Sequence, residues 1–539
     1  MTDTRATKVV ILRDNDLAND TRARKIVASL VRLGMDVTVV CRSSGSPEVV
    51  TIAGAEVRRV SVPFRLSRTV NESHKSRRDW RPRLSRRPAN QAQLAYKVRA
   101  TAGDIAVHRG RVTRARQDKD AALLATELLG SARAGLAYRV MKRMVVLDKR
   151  RVQGEEWAVA QVGQLWPRWD QLLDELRIKG QLPVPWRRGV PMLRDLDLVW
   201  APLIDALAPD VIHAHDAPVL HVAVRAADRA RLVGRRVPVI YDAIEYWPGL
   251  PDLPSNPRWF YGIVDAERTH ARDVSGAFAV SAPIADKLKA DHGWKHVPSL
   301  VLNVPVNIGA PRAPGGGVRS AAGVAEDTAL LVYAGGIALG RGVETIVDAL
   351  PLLPGVHLAV APVPFPHKAS YELMARAVRL GVADRVHIVR PSSPQEVINF
   401  LSTADVGVHP LEPGSPNHDM ALPNKVFEYG HAGLAVVVSN CAEMERLVLA
   451  DGIGQSYRYG DPVDLAGAVT RALAARGVGP QASERVVAAR QAWRSARSWQ
   501  AQEASLAEVY GRVLGRQFTV PAPEVPFPDL SDQPILGQP

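Results

Sequence analysis

Residues 421–440 read ALPNKVFEYGHAGLAVVVSN, and two periodicities meet inside them. Pro423 suits the first position of a helix, where its missing N–H costs nothing, and Val426, Phe427, Tyr429 and Gly430 follow inside that helix. Gly433 suits the left-handed residue that closes it. The run Ala435–Val438 is apolar, largely β-branched and followed by Ser439 and Asn440, the composition of a strand buried on both faces in a parallel sheet. A helix start beside such a strand presents backbone N–H groups with a partial positive charge, which attracts anions. Lys425 and Glu428 therefore support two readings. One is a cation beside a bound phosphate; the other is an i,i+3 ion pair facing water, worth about 0.2–0.5 kcal/mol.

The same alternation runs outward from this stretch in two blocks. Lys8–Arg13 (KVVILR), the polar loop DNDLAND, a helical pattern from Thr21 to Leu33 stopped by Gly34, and the strand Val37–Cys41 form a β-loop-α-β opening. Asp20 is placed to cap the helix, and loops in this position meet ligands in doubly wound folds. No GxGxxG fingerprint is present, which argues against a tightly held dinucleotide. Further strands are expected at Glu56–Ser61, Asp210–His213, Val237–Asp242 and Ala277–Val280, with Ser281 capping the helix after the last of them. The segment Ile308–Ser320 (IGAPRAPGGGVRS) is rich in Gly and Pro and reads as a linker. Beyond it, strands are expected at Ala329–Tyr333, Val356–Ala361, Val386–Val389, Val406–His409 and Ala435–Val438.

The fold class expected is α/β, with two doubly wound Rossmann-like domains facing a cleft. The first spans residues 1–307, interrupted by a basic helical insertion over 64–200, and the second spans 308–482. A single helix over 483–515, carrying Trp493 and Trp499, is expected to pack back on the first domain. The Pro-rich tail 516–539 is expected to be extended or disordered.

At 539 residues, 46% hydrophobic and 23% charged, the chain has the composition of a globular protein too long for one core. No run approaches the roughly 20 apolar residues of a spanning helix, and the first residues lack a signal-peptide pattern. The only cysteines, Cys41 and Cys441, have no ligand-like spacing and read as small buried residues at strand ends. That usage fits a reducing cytoplasm. Arg58–Arg151 holds 25 Lys or Arg against 7 Asp or Glu, net +18, which leaves −4 for the rest of a chain whose total is +14. A basic block of this kind binds nucleic acid, lies on an anionic membrane surface, or simply faces water. No RNA-binding or helix-turn-helix signature accompanies it, so nucleic acid is the weakest of the three.

Four stretches, in order, resemble the retaining GT-B-fold glycosyltransferases of family 4: NDTRARKIVASLVRLGMDVTVVCR; DVIHAHDAPVL with VIYDAIEYWPG; VYAGGIALGRGVETIVDAL; and ALPNKVFEYGHAGLAVVVSN. SWQAQEASLAEVY is similar to the family's closing helix, and the likeness spans 8–62 and 205–515. The resemblance implies that Glu428, the second Glu of an E-x7-E pattern, binds the ribose of a nucleotide sugar; an ionised carboxylate accepts from two hydroxyls. The first Glu of the pattern falls on Met420, with Asp419 or the Pro423-Asn424-Lys425 turn as substitutes. Arg341 matches one of the family's two basic residues at the diphosphate, the other falls on Gly336 after Gly335, and Lys425 is placed to supply the second charge. His215 matches the histidine beside the donor sugar, and His213 is expected on the opposite face of the strand. Asn15, Asp20 and Arg22 belong to the acceptor-side loop. Glu245 takes the place of the family's His-Glu pair but follows Ile244, and no catalytic role is assigned to it.

The activity implied is hexosyl transfer from a nucleotide-sugar donor to a cell-envelope glycan or lipid-linked acceptor, with retention and without a cofactor or metal. The acceptor follows from the basic segment 58–151, which suggests a cytoplasmic protein peripheral at the inner face of the membrane. A paired-histidine metal site at His213 and His215 is the competing idea, but no carboxylate cluster converges with it in sequence. Asp195-Leu-Asp197 resembles a metal-binding D-x-D but reads as a solvated helix face. Two other functions remain open: a sugar-nucleotide epimerase of the same fold, and a degenerate protein that binds a nucleotide or partner without turnover.

Overall fold

The computed structural model describes residues 5–64, 88–150, 176, 184–251, 256–313, 315–338, 341–476, 484–522 and 525–532. The first domain is built on a sheet of β1 (Lys8–Arg13), β2 (Asp36–Arg42), β3 (Glu48–Ile52), β4 (Ala55–Val60), β5 (Val211–His215), β6 (Val239–Ala243), β7 (Gly276–Ala279) and β8 (Ser299–Leu300). Its order is β3-β4-β2-β1-β5-β6-β7-β8, parallel throughout except for the β3–β4 hairpin at the edge. In β1, Val9 and Ile11 enter one apolar core while Val10 and Leu12 enter the other. Both faces are covered by helices, which is why this strand reads as a continuous apolar run.

The second sheet contains β9 (Leu330–Gly335), β10 (His357–Pro362), β11 (Val386–Ile388), β12 (Val406–His409), β13 (Ala435–Ser439) and β14 (Gly454–Tyr457), in the order β11-β10-β9-β12-β13-β14. All its pairs are parallel. Strand order reverses between β1 and β5 in the first sheet and between β9 and β12 in the second, and in open α/β sheets such reversals place ligand crevices at the carboxyl ends of the strands. The expected α/β class with two doubly wound domains therefore holds.

Several expectations need correction. Pro423 is not the first helical residue: its ψ of 140° is extended and the helix runs Asn424–Ala432, closed by Gly433 at φ 82°. The single closing helix is two, Glu484–Ala496 and Trp499–Leu514, because Ser498 caps the second by accepting from the Ala501 N–H. Trp493 donates to Asp451 of the second domain, whereas Trp499 donates to Ser29 of the first at 2.9 Å, so the break falls where the chain crosses over. Asp195 and Asp197, on the helix Pro191–Leu207, are buried. Asp197 pairs with Arg225 at 2.7 Å and Arg229 at 3.1 Å, which makes it a structural anion and not a solvated face.

The tail shows what its composition could not. Its described part has no regular structure, but it is fastened to the first domain: Asp532 pairs with Arg24 at 2.8 Å and Arg59 at 2.7 Å, and Arg24 also donates to the Leu530 carbonyl.

Within the insertion, helices Pro88–Gln117 and Ala121–Arg150 pack on one another, and the first of them packs on the helix Ala217–Arg231. A Cβ at Gly110 would lie 1.9 Å from the Asp228 carbonyl oxygen, so only glycine permits that approach. Arg111 pairs with Asp228 at 2.8 Å, and Arg114 pairs with Asp273. Part of the basicity of 58–151 is thus spent holding the insertion to its domain. On the far side, Leu128, Leu129, Leu136 and Val140 are exposed beside the exposed Arg133, Arg139 and Lys142. Residues 65–87, with the remaining arginines of that segment's start, and Trp157, Trp166 and Trp169 lie outside the described residues. Among the described residues no helix is long and apolar enough to cross a membrane.

Candidate donor site and its cleft

The helix Asn424–Ala432 begins at the carboxyl end of the second sheet, beside the reversal between β9 and β12. Tyr429 lies flat on β12 because position 407 is glycine: a Cβ there would sit 2.2 Å from the ring. The Tyr429 hydroxyl accepts from the Ala334 N–H of β9 at 3.1 Å. This lock fixes the helix, and with it its first turn, against β9. In that turn Glu428 accepts from Asn424 Nδ2 at 2.8 Å and from Lys425 Nζ at 2.9 Å. The i,i+3 pair is real, yet it does not simply face water. Glu428 is 9% exposed, and a Cβ on Gly335 would lie 3.5 Å from Lys425 Cε. Lys425 therefore stands where the loop Gly335–Gly336 leaves β9. At the end of β12, burial and then the charges of Arg341 and Lys425 push His409 down to about 3.

The E-x7-E gap has a structural explanation. Met420 closes a short helix, Pro416–Met420, and its side chain packs on the apolar core of the first domain. Its carbonyl accepts from Ser281 Oγ at 2.6 Å. Asp419 turns back on the preceding loop, its carboxylate accepting from the Gly414 N–H at 3.1 Å. The same short helix joins the domains elsewhere: Asn417 accepts from the Tyr246 N–H and donates to Glu245, both at 2.7 Å.

Glu245, set aside on sequence grounds, is thus a cleft residue. Burial raises its pKa to about 7; Asn417 opposes this, Asp216 adds to it, and Arg341 acts on it from the second domain. Sequence carried no signal for Asn417, and the only signal for Glu245 was its place in a motif that lacks the histidine.

The acceptor-side residues turn inward. Asp20 caps the helix Thr21–Arg32 through the Ala23 N–H at 3.0 Å and holds Arg13 at 2.7 Å and Asn15 at 3.0 Å. Arg22 is buried and pairs with both oxygens of Asp242, at 2.9 and 2.6 Å, while donating to the Val301 carbonyl. It is a structural cation and not a loop residue open to an acceptor. His215 also departs from expectation: it has no exposed surface, with Nδ1 2.9 Å from Asp242 and Nε2 3.7 Å from Asp20. Burial pulls its pKa down, and the two carboxylates more than offset this, so the net shift is upward. In this arrangement it links Asp20 to Asp242 rather than facing the cleft.

His213 and His215 point to the same side of β5, their rings 6.0 Å apart, because residues two apart along a strand share a face. With Asp242 they bring three potential metal-binding atoms within 4.8 Å of one another. The cation serving that carboxylate is Arg22, whose bidentate pair occupies both Asp242 oxygens and whose charge repels a metal ion. The cluster fits a buried ion-pair network better than a metal centre.

No curated protein matches the chain. Residues 328–475 match the family described as "Glycosyl transferases group 1". The match covers the second sheet from β9 to β14. The architecture around it agrees: the sucrose-phosphate synthase of Thermosynechococcus elongatus is similar at 12% identity and TM-score 0.58, over 94% of this chain and 99% of that one. HepE of Anabaena, solved with UDP and glucose, is similar at 14% identity and TM-score 0.52, over 94% and 99%. At such identities the likeness fixes the fold, and the fold is GT-B. The family match contains Gly335, Gly336, Arg341, Pro423, Asn424, Lys425 and Glu428, so the charged turn lies inside the matched region.

Proposed function

We propose that the protein transfers a sugar from a nucleotide-sugar donor to a cell-envelope glycan or lipid-linked acceptor, with retention of anomeric configuration. The observation that carries this is the turn Asn424–Glu428, inside the region that matches the glycosyltransferase family model, with Lys425 laid against Gly335 at the strand-order reversal. Glu428, oriented by Asn424, would accept from the ribose hydroxyls. Lys425 and Arg341 would take the diphosphate and stabilise the charge that develops on it as the sugar departs, which is commonly the largest contribution to such catalysis. No side chain is assigned as a nucleophile, and reaction on the face of the leaving phosphate is the route that requires none. Asn417 and Ser281 hold the domains together over the cleft, and a closed cleft excludes water, the competing nucleophile. His215, enclosed, would act on this site only through Asp20 and Asp242.

The exposed leucines and cations on Ala121–Arg150 support an anionic membrane face, each near-surface cation contributing about 1 kcal/mol, and hence a lipid-linked acceptor at the cytoplasmic leaflet. The degenerate binding-only reading draws on Met420, whose side chain is committed to the first domain's core. The epimerase reading needs a pair of acid-base carboxylates. Glu245 is one candidate, but Asp216 is already held by Arg13, Trp247 and the Ala217 N–H.

The test is transfer from isotopically labelled UDP- and GDP-sugars to an envelope lipid extract, with and without anionic vesicles, the product anomer read by NMR. Labelled product of retained configuration, formed faster with vesicles, is the expected result. Nucleotide binding without turnover of any donor would favour the binding-only reading, an inverted product would sink retention, and indifference to vesicles would remove the membrane role.

A further inference from the structure

A cavity of about 260 Å³ opens beside Glu428, and its walls come from three parts of the chain. The second domain supplies Gln395, Ile398, Asn424 and Glu428; the first supplies Thr21 and Lys25; the tail supplies Phe527–Leu530. The tail wall is set by its anchors. The Arg32 guanidinium lies 5.3 Å from the Phe527 ring centre and donates to the Pro526 carbonyl at 2.9 Å. Arg24 fixes the Leu530 carbonyl, and Asp532 closes the strap on Arg24 and Arg59. All these anchors belong to the first domain, while the residues of the donor turn belong to the second.

The order of groups along the site decides what the cavity would hold. Lys425 binds one oxygen of Glu428 and rests on Gly335, so the phosphate-binding side lies beyond Glu428 as seen from the cavity. The cavity side offers apolar surface from Phe527, Pro528, Leu530 and Ile398, with the Gln395 amide as a donor and acceptor. The two cations that also line it are engaged elsewhere, Arg24 by Asp532 and the Leu530 carbonyl and Lys25 by Asn303 and the Val304 carbonyl, so a phosphate gains little from these walls. A flat heteroaromatic base, with apolar faces and a hydrogen-bonding edge, matches them.

We propose that the tail segment 525–532 is a wall of the donor site that receives the base of a nucleoside diphosphate, so that the first domain takes part in nucleotide selection through Phe527 and Leu530. This rests on the reading of Glu428 as the ribose contact. Because the strap is tied to one domain and faces the other, the base would be gripped only when the domains are held as they are here, which couples donor binding to closure.

The test uses the full-length protein and calorimetric titration with UDP, GDP and inorganic pyrophosphate. Phe527→Ala and Leu530→Ala should each weaken the preferred nucleoside diphosphate about tenfold, which is about 1.4 kcal/mol, and leave pyrophosphate affinity unchanged. Asp532→Ala, which loosens the strap without touching the cavity, should weaken the nucleotide less and in the same direction. Unchanged nucleotide affinity in both wall variants would overturn the tail's role while leaving the donor site standing. Equal loss of nucleotide and pyrophosphate affinity would overturn it in favour of a purely structural strap. If the intact chain binds no nucleoside diphosphate, the donor-site reading falls and this inference falls with it.

Discussion

Alanine at Arg341 or at Lys425 is expected to lower kcat for sugar transfer about 10²- to 10³-fold, the range found when one preorganised group that stabilises developing negative charge is removed. The two substitutions should differ in KM. Arg341 is exposed at the mouth of the loop after β9, and its removal takes away a charge and little else. Lys425 also holds Glu428 at 2.9 Å, so Lys425→Ala leaves the carboxylate to Asn424 alone and should raise KM for the donor as well. Steady-state kinetics with the preferred nucleotide sugar would measure both effects. A kcat within threefold of the parent for either variant would remove that residue from the leaving-group site.

The second large effect is on stability. Arg22→Ala should destabilise the fold by about 3–5 kcal/mol, because it strands the carboxylate of Asp242 inside the first domain. Asp242 is fully buried, and burial alone would raise its pKa; Arg22 and His215 outweigh that and hold it far below the usual carboxylate range. A carboxyl group with a depressed folded-state pKa contributes stability that is present above its unfolded pKa and lost as pH falls through its folded one. His215, shifted upward, has the opposite sign: its contribution is complete below its unfolded pKa and is lost as pH rises through the raised value. Urea unfolding across pH should therefore show network-derived stability declining on the acid side through Asp242 and, as pH rises past the ordinary histidine range, through His215. In Arg22→Ala the acid-side decline should flatten. The double change Arg22→Met with Asp242→Leu should recover much of the loss, since an apolar pair of similar volume avoids the cost of burying charge. A cost below about 1 kcal/mol for Arg22→Ala would mean the pair is not the internal cation–anion contact described.

The elements that sequence located well are those with a local cause. β12 and β13 are short β-branched runs, the cap by Asp20 is a side chain within reach of the third N–H, and Gly433 adopts the conformation its position requires. What sequence missed depends on distant partners. Arg22 reads as a loop cation until Asp242, far along the chain, is seen to take two of its three guanidinium nitrogens. Asp195 and Asp197 look solvated until the helix Ala217–Arg231 brings Arg225 and Arg229 against the second of them. The tail has the composition of a linker, and only three arginines on two separate elements turn it into a strap. β14 is weakly apolar, GQSY, and is paired only because β13 offers an edge. The opposite-face reading of His213 was an error of parity, corrected by the shared side of β5. In the donor turn, Lys425 and Glu428 were legible as a motif, but whether the pair faces water or a loop required the position of Gly335.

The central claim is that the turn Asn424–Glu428 holds a nucleotide, and thermal unfolding of the intact protein with UDP, GDP and their sugar conjugates, beside Glu428→Ala, tests it most directly. One nucleotide should stabilise the parent by about 2.7 kcal/mol at a hundredfold excess over Kd, and the shift should vanish in Glu428→Ala. No shift with any nucleotide, or an equal shift in the variant, would contradict the account.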